Sequence, residues 1–89
     1  MTSVAVTVQD VRDLTRSYLA SSLGRPVADD LDVFAAGFAN SLFAAQLVMF
    51  VEEAFALTVE DEELEISNFA SVDAVTRYVC VKTGAGEQA

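Results

Sequence analysis

The sequence contains no histidine and only one cysteine, Cys80. Without histidine, a Ser-His-Asp or Cys-His catalytic mechanism is excluded because the general base is missing. The lack of histidine and of a cysteine pair also argues against a zinc site, and one cysteine cannot form an internal disulfide. An enzyme would need paired carboxylates in a cleft, and so small a domain offers little cleft. We therefore expect no catalytic residues and no bound metal.

Basic residues are also scarce, with five Lys and Arg against fourteen Asp and Glu and a net charge of -9. Such a surface repels phosphate backbones and anionic membranes, so we expect neither nucleic acid nor a membrane as partner. A basic protein surface is the complementary partner. The same charge would also serve solubility alone.

The sequence has no apolar run of about 20 residues and no basic segment ahead of an apolar stretch at its N-terminus. We therefore expect a cytoplasmic protein. A length of 89 residues, of which 53% are hydrophobic, predicts one small domain with a core of its own. We expect a monomeric domain over residues 7–83, with flexible segments at residues 1–6 and 84–89.

Helical periodicity and capping signals predict an all-α protein, with a first helix over residues 8–22. Thr7 followed by Asp10 fits a capping box, and Gly24 and Pro26 end the helix. The residues expected on its buried face are Val8, Val11, Leu14, Tyr18 and Leu19.

Residues 25–39 form a long connection for so small a domain. Asp29 or Asp30 is a candidate to cap a short helical turn within it. The residues expected to hold this loop on the core are Leu31, Val33, Phe34 and Phe38. An ordered loop that leads into a serine suggests that the loop positions something.

The second predicted helix runs from about Ser41 to Ala54 or Phe55, capped by Asn40 or Ser41. The residues expected on its core face are Ala44, Leu47, Val48, Val51 and Phe55. Phe43 and Phe50 are expected in the core or at its edge. Leu42 and Met49 point the other way. Because they are apolar and near Ser41, we interpret them as partner contacts.

Residues 58–66 carry five nearly contiguous acids, but they lack the alternating ligands and the glycine of a calcium loop. We instead predict a short third helix there, with Leu64 and Ile66 turned inward. The last helix begins after Ser71 and ends near Lys82. The residues expected on its buried stripe are Val72, Val75, Tyr78 and Val79. Cys80 is expected beside this stripe.

Residues 31–42, with the sequence LDVFAAGFANSL, resemble the approach to the modification site of acyl carrier proteins. Residues 46–48 and 51–55 match the second helix of that family, and residues 68–72 match the segment that leads into its last helix. The resemblance covers residues 8–81. It implies a four-helix bundle with three longer helices, a short third helix and a long first loop.

The resemblance also implies a function. Ser41 would accept 4'-phosphopantetheine from coenzyme A, transferred by a phosphopantetheinyl transferase, and the terminal thiol would hold an acyl group as a thioester. Acyl-loading and acyl-modifying enzymes and a polyketide synthase would be the partners. The residues expected to contact partners are Asn40, Leu42, Met49, Glu52 and Glu53.

Two residues depart from the usual family pattern. Asn40 stands where Asp usually precedes the serine, and Phe43 stands where many fatty-acid carriers have a polar residue. Residues 40–48 are similar to free-standing carriers of polyketide extender units of the methoxymalonyl or glyceryl type. The alternatives are a general fatty-acid or polyketide carrier, an amino-acyl carrier or, outside the carriers, a small acidic helical interaction module that does not need Ser41.

Overall fold

The computed structural model describes residues 7–84, and this part of the chain is all-α. The helices in chain order are α1 (Val8–Leu23), α2 (Ser41–Phe55), α3 (Ile66–Phe69) and α4 (Val72–Thr83). The prediction of three longer helices and a short third one is confirmed. Residues 1–6 and 85–89, where flexible ends were predicted, lie outside the described residues. Within residues 7–84, every helix is too short or too polar to cross a membrane.

The long helices begin at the predicted capping residues. The Thr7 hydroxyl accepts the amide of Asp10 at 3.0 Å, and the Asp10 carboxylate accepts the amide of Thr7 at 3.2 Å. The Ser71 hydroxyl caps α4 by accepting the amide of Ala74 at 3.0 Å. Gly24 follows α1 in a left-handed conformation, with φ 70°, which glycine adopts without steric penalty. Local side-chain chemistry therefore fixes where these helices begin and end.

The core lies between α1 and α4, with α2 and the loop before it completing the enclosure. Its fully buried residues are Val11, Thr15, Leu19, Val33, Leu47, Val51, Val72, Val75 and Val79. The prediction that Val8 and Leu14 are buried is wrong, since both are exposed. Val8 lies at the end of α1, and Leu14 lies about 100° around the helix from Thr15, which takes the inward position.

The loop between α1 and α2 is tied to the short segment that joins α3 to α4. The amide of Val33 donates to the carbonyl of Ala70 at 2.8 Å, and the amide of Asp73 donates to the carbonyl of Asp29 at 2.9 Å. Val33 is fully buried, and Leu31, Phe34 and Phe38 are half-buried against the core, as predicted. The loop is therefore an ordered part of the bundle.

Ion pairs reinforce this attachment. Nε and Nη2 of Arg16 donate to the two carboxylate oxygens of Asp29 at 2.7 and 2.9 Å. Arg12 donates to Asp29 at 3.4 Å and also to the carboxylate of Asp73. The hydrogen bonds from Arg16 are the main cause of the lowered pKa of Asp29. These contacts join the loop to α1 and, through Arg12, to α4.

Neither Asp29 nor Asp30 caps the turn within the loop, so that prediction is wrong. The carboxylate of Asp32 does so instead, because it accepts the amides of Phe34 and Ala35 at 3.0 and 2.9 Å. The carboxylate of Asp29 is occupied by the two arginines of α1.

The segment between α2 and α4 differs most from the prediction. A single 3-10 turn, Asp61–Glu63, precedes α3, which begins at Ile66 rather than ending there. Leu64 and Ile66 are each 52% exposed, so the prediction that they turn inward is wrong. Phe69 and Val59 fill the inward positions instead.

Cys80 lies on α4 beside the buried stripe and is only 8% exposed. Burial raises the pKa of its thiol, which disfavours the reactive thiolate. Cys80 therefore lies beside the buried stripe, as predicted, and packs as a small apolar side chain.

Candidate functional site

Ser41 is the first residue of α2 and is exposed to solvent. The cap of this helix is Asn40, whose Oδ1 accepts the amide of Phe43 at 3.0 Å. Because Asn40 performs the capping, the Ser41 hydroxyl is not needed for it, and it makes no hydrogen bond to another residue of the described chain. Ser41 therefore presents an unengaged hydroxyl on a fixed backbone.

The backbone around Ser41 favours an anion. The first amide of α2 that bonds to a carbonyl four positions back is that of Ala44, which donates to Asn40 at 2.9 Å. The amides of Ser41 and Leu42 come before it, and neither donates to a residue within positions 7–84. These amides and the helix dipole make the start of α2 locally positive. A phosphate group attached to Ser41 would be stabilised at this position.

An apolar groove of about 160 Å³ runs beside α2, on the face that contains Ser41. Ala44, Ala45 and Val48 line it from α2, at positions i+3, i+4 and i+7 from the serine, which share one face of a helix. The opposite wall includes Leu64 and Ile66, the two residues wrongly expected in the core. Their exposure is thus explained by an open groove next to the serine.

Two residues on the outer side of α2 are both apolar and exposed. Leu42 is 67% exposed and Met49 is 59% exposed, so both point away from the core as predicted. Met49 also lines a second depression, of about 240 Å³, which α1 and α2 enclose. Its floor contains the stacked rings of Tyr18 and Phe50, whose centroids lie 4.1 Å apart. Leu42, next to Ser41, and Met49, two turns further along α2, therefore offer a partner exposed apolar side chains.

Phe43, expected at the core or its edge, is buried, and Phe50 is half-buried. The ring centroid of Phe43 lies 6.5 Å from that of Phe34 in the loop and 6.3 Å from that of Tyr18 in α1. Phe43 therefore holds the first turn of α2 against both neighbouring elements. The position of Ser41 is stabilised by this packing.

The two predicted acidic contacts differ in availability. Glu53 is exposed and lines the depression beside Met49. Glu52 is half-buried, and its Oε2 accepts the amide of Val59 at 2.9 Å. One oxygen of Glu52 is therefore used to hold the start of the next loop, and the role of both acids in partner contact stays a prediction.

The structure brings Asn40, Ser41 and Leu42 together at the start of α2 and places Met49 and Glu53 two to three turns further on. The eight positions from Ser41 to Met49 correspond to about 12 Å along a helix. The sequence interpretation missed Leu64 and Ile66 as part of the site. Their acidic neighbours, Glu63 and Glu65, were a signal of exposure.

Within residues 7–84, no three or more Asp, Glu or Cys side chains are grouped so that they could hold a metal ion. Among the acids of residues 60–65, the Glu63 carboxylate accepts the Glu60 amide at 2.9 Å and also binds the side chains of Tyr78 and Lys82 on α4.

Comparisons of the chain with family models, with curated proteins and with solved structures gave no match. The functional interpretation therefore rests on the residues of this chain and their arrangement.

Proposed function

We propose that the protein is an acyl carrier and that Ser41 carries 4'-phosphopantetheine. The observation that carries this proposal is the unengaged, exposed Ser41 hydroxyl at the start of α2, beside two amides without a described partner. A carrier needs an accessible acceptor held in a constant position. It needs no acid or base of its own, because its partners perform the chemistry.

The modification step is a phosphoryl transfer. Oγ of Ser41 attacks the phosphorus of coenzyme A that bears the pantetheine arm, and a new P–O bond forms. The bond to the bridging oxygen of the pyrophosphate breaks, and 3',5'-adenosine diphosphate leaves. A base of the transferase takes the hydroxyl proton. The amides of Ser41 and Leu42 then face the anionic phosphodiester.

The thiol at the end of the arm holds the acyl group as a thioester. The groove formed by Ala44, Val48, Leu64 and Ile66 offers an apolar surface to an acyl group that folds back onto the protein. An arm that swings into solvent would instead present the group to partner enzymes. The same attachment point serves both arrangements.

Partners would meet the outer side of α2. Leu42 and Met49 supply apolar contact, and Glu53 adds negative charge for a basic surface on a transferase, a loading enzyme or a polyketide synthase. Asn40 is exposed and lacks the carboxylate usual at its position, which favours a specialised partner set. A polyketide extender unit of the glyceryl or methoxymalonyl type is the cargo that we propose.

The rival proposal is an acidic interaction module that uses Leu42 and Met49 but not Ser41. An intact-mass measurement separates the two. The protein is incubated with coenzyme A, magnesium and a broad-range phosphopantetheinyl transferase, in parallel with Ser41→Ala and with Ser71→Ala as a matched control. Ser71 is buried, so its hydroxyl is not accessible to a transferase, and a Ser71→Ala chain that is shown to be folded should be modified like the parent chain.

We expect one phosphopantetheine increment in the parent chain and in Ser71→Ala, and none in Ser41→Ala. If the folded parent chain gains no mass with any transferase tested, the carrier proposal is wrong and the interaction module is favoured. If the increment is found, the intact mass of the protein isolated from its host would identify the acyl group.

A further inference from the structure

Arg77 is the one basic side chain without an acidic or aromatic partner in the part of the chain that the structure describes. The other four are engaged: Arg12 and Arg16 with Asp29, Lys82 with Glu63, and Arg25 with the ring of Phe38. Asp73 lies one turn before Arg77 on α4, a spacing that favours an ion pair, but its carboxylate binds Arg12. Arg77 is therefore a basic side chain that forms no ion pair within the described residues, although the chain as a whole has a net charge of -9.

This charge lies at an open cavity of about 420 Å³ beside α4. Ala74, the ring of Tyr78 and Val81 form its apolar wall, and Val81 is 71% exposed. Ligand sites typically combine such an apolar wall with a few polar groups. The cavity therefore suits a small molecule that has both an apolar part and a negative charge.

The two other charged side chains that line the cavity, Glu63 and Lys82, pair with each other, and the carboxylates of Glu52 and Glu60 lie near enough to act electrostatically on Tyr78. Oε1 of Glu63 accepts Nζ of Lys82 and the hydroxyl of Tyr78, both at 2.8 Å, and the amide of Glu60 at 2.9 Å. Because Glu63 and Lys82 neutralise each other, Arg77 carries the one remaining charge among the side chains that line the cavity. An ammonium group has three donors, so Lys82 can still donate to a second acceptor.

The cavity wall is held in place before any ligand arrives. The hydroxyl of Tyr78 is fixed by Glu63, and its ring packs on that of Phe69 with 5.2 Å between centroids. The side-chain amide of Asn68 donates to the carbonyl of Glu63 at 2.9 Å. A wall fixed in this way loses little conformational freedom when it binds a ligand.

We propose that this cavity binds a small organic carboxylate that bears a short apolar group. The carboxylate pairs with Arg77 and with the remaining donors of Lys82, and the apolar group packs on Val81 and Tyr78. The inference goes beyond the proposed carrier function, since it does not involve Ser41. The cavity is also separate from the groove beside α2. Residues 63–69 contribute to both, since Glu63 and Asn68 line the cavity whereas Leu64 and Ile66 line the groove.

The test is an NMR titration of methyl resonances with hexanoate, and with hexan-1-ol as an uncharged probe of the same length. The protein used is the Ser41→Ala chain, so that modification plays no part in the result. Arg77→Gln is compared with Arg25→Gln, which removes a positive charge at the ring of Phe38 instead.

We expect saturable shifts at the methyls of Ala74 and Val81, with hexanoate binding more tightly than hexan-1-ol. Arg77→Gln should weaken hexanoate binding at least about fivefold, because a charge-assisted pair is lost, and should leave hexan-1-ol binding unchanged. Arg25→Gln should leave both unchanged. The proposal is overturned by shifts that do not saturate, by shifts confined to Val48 and Ile66, or by equal hexanoate binding in Arg77→Gln.

Discussion

Thr15 offers the sharpest test of the core. It is fully buried in α1, and its hydroxyl has no hydrogen-bond partner within the described residues. A buried hydroxyl without a partner destabilises a fold by about 1–3 kcal/mol. Valine has nearly the same shape and helix propensity, and its extra methyl contributes about 0.8 kcal/mol through burial. After an allowance for imperfect packing, we expect Thr15→Val to stabilise the protein by about 1–2 kcal/mol.

Thr76 provides a matched control, because it is also buried in a helix but its hydroxyl donates to the carbonyl of Val72 at 2.7 Å. Thr76→Val removes a satisfied hydroxyl, so we expect no gain in stability, or a small loss. Thr15→Ser keeps the hydroxyl and removes a buried methyl, which should destabilise the protein by about 1 kcal/mol.

Urea unfolding, monitored by circular dichroism, gives the free energy of unfolding of each of the three variants for comparison with the parent chain. For a domain of this size, each kcal/mol corresponds to a shift in Tm of roughly 4–8 °C. A loss of stability in Thr15→Val, or a change equal to that of Thr76→Val, would refute the assignment of an unsatisfied hydroxyl at Thr15.

Two further predictions concern the ion pairs. Asp29→Asn should destabilise the fold by about 1 kcal/mol and speed hydrogen exchange of the Val33 amide, because the arginines of α1 lose their common acceptor; the exposed Asp30→Asn is the control and should change neither. Lys82, the Glu60 amide and the Tyr78 hydroxyl lower the pKa of Glu63 from 4.5 to about 2. Since its pKa is lower in the folded chain, Glu63 stabilises the fold above about pH 4.5, and this contribution is lost as the pH falls toward 2. Urea unfolding at several pH values from 7 to 2 measures this loss of stability. Glu63→Gln should be less stable than the parent chain at pH 7, and its free energy of unfolding should fall less as the pH is lowered. A pH profile of stability identical to that of the parent chain would contradict this role of Glu63.

The sequence predicts those features that depend on neighbouring residues. Thr7, Asn40 and Ser71 mark the starts of the three long helices because a cap bonds to an amide only three positions away. The position of Ser41 at the start of α2 was predicted in the same way, whereas its role as an attachment site came from the resemblance to carrier proteins and stays a prediction. The exposure of Leu42 and Met49 follows from helical spacing.

Features that depend on distant residues were not predicted. Asp29 binds Arg12 and Arg16, which are 17 and 13 positions away, and no local pattern selects those partners. Thr15 was missed because hydrophobic periodicity assigns no weight to a threonine that takes an inward position. Leu64 and Ile66 were placed in the core because apolar character does not distinguish a closed core from an open groove beside it.

The burial of Cys80 has a practical consequence for labelling experiments. It is the only cysteine in the sequence, and burial both shields its thiol and raises its pKa. Under native conditions, a thiol-reactive dye should therefore label the chain at Cys80 slowly. If Ser41 carries the proposed pantetheine arm, the thiol of that arm should react quickly. Dye uptake could thus report the fraction of modified protein in real time, with no cysteine substitution needed.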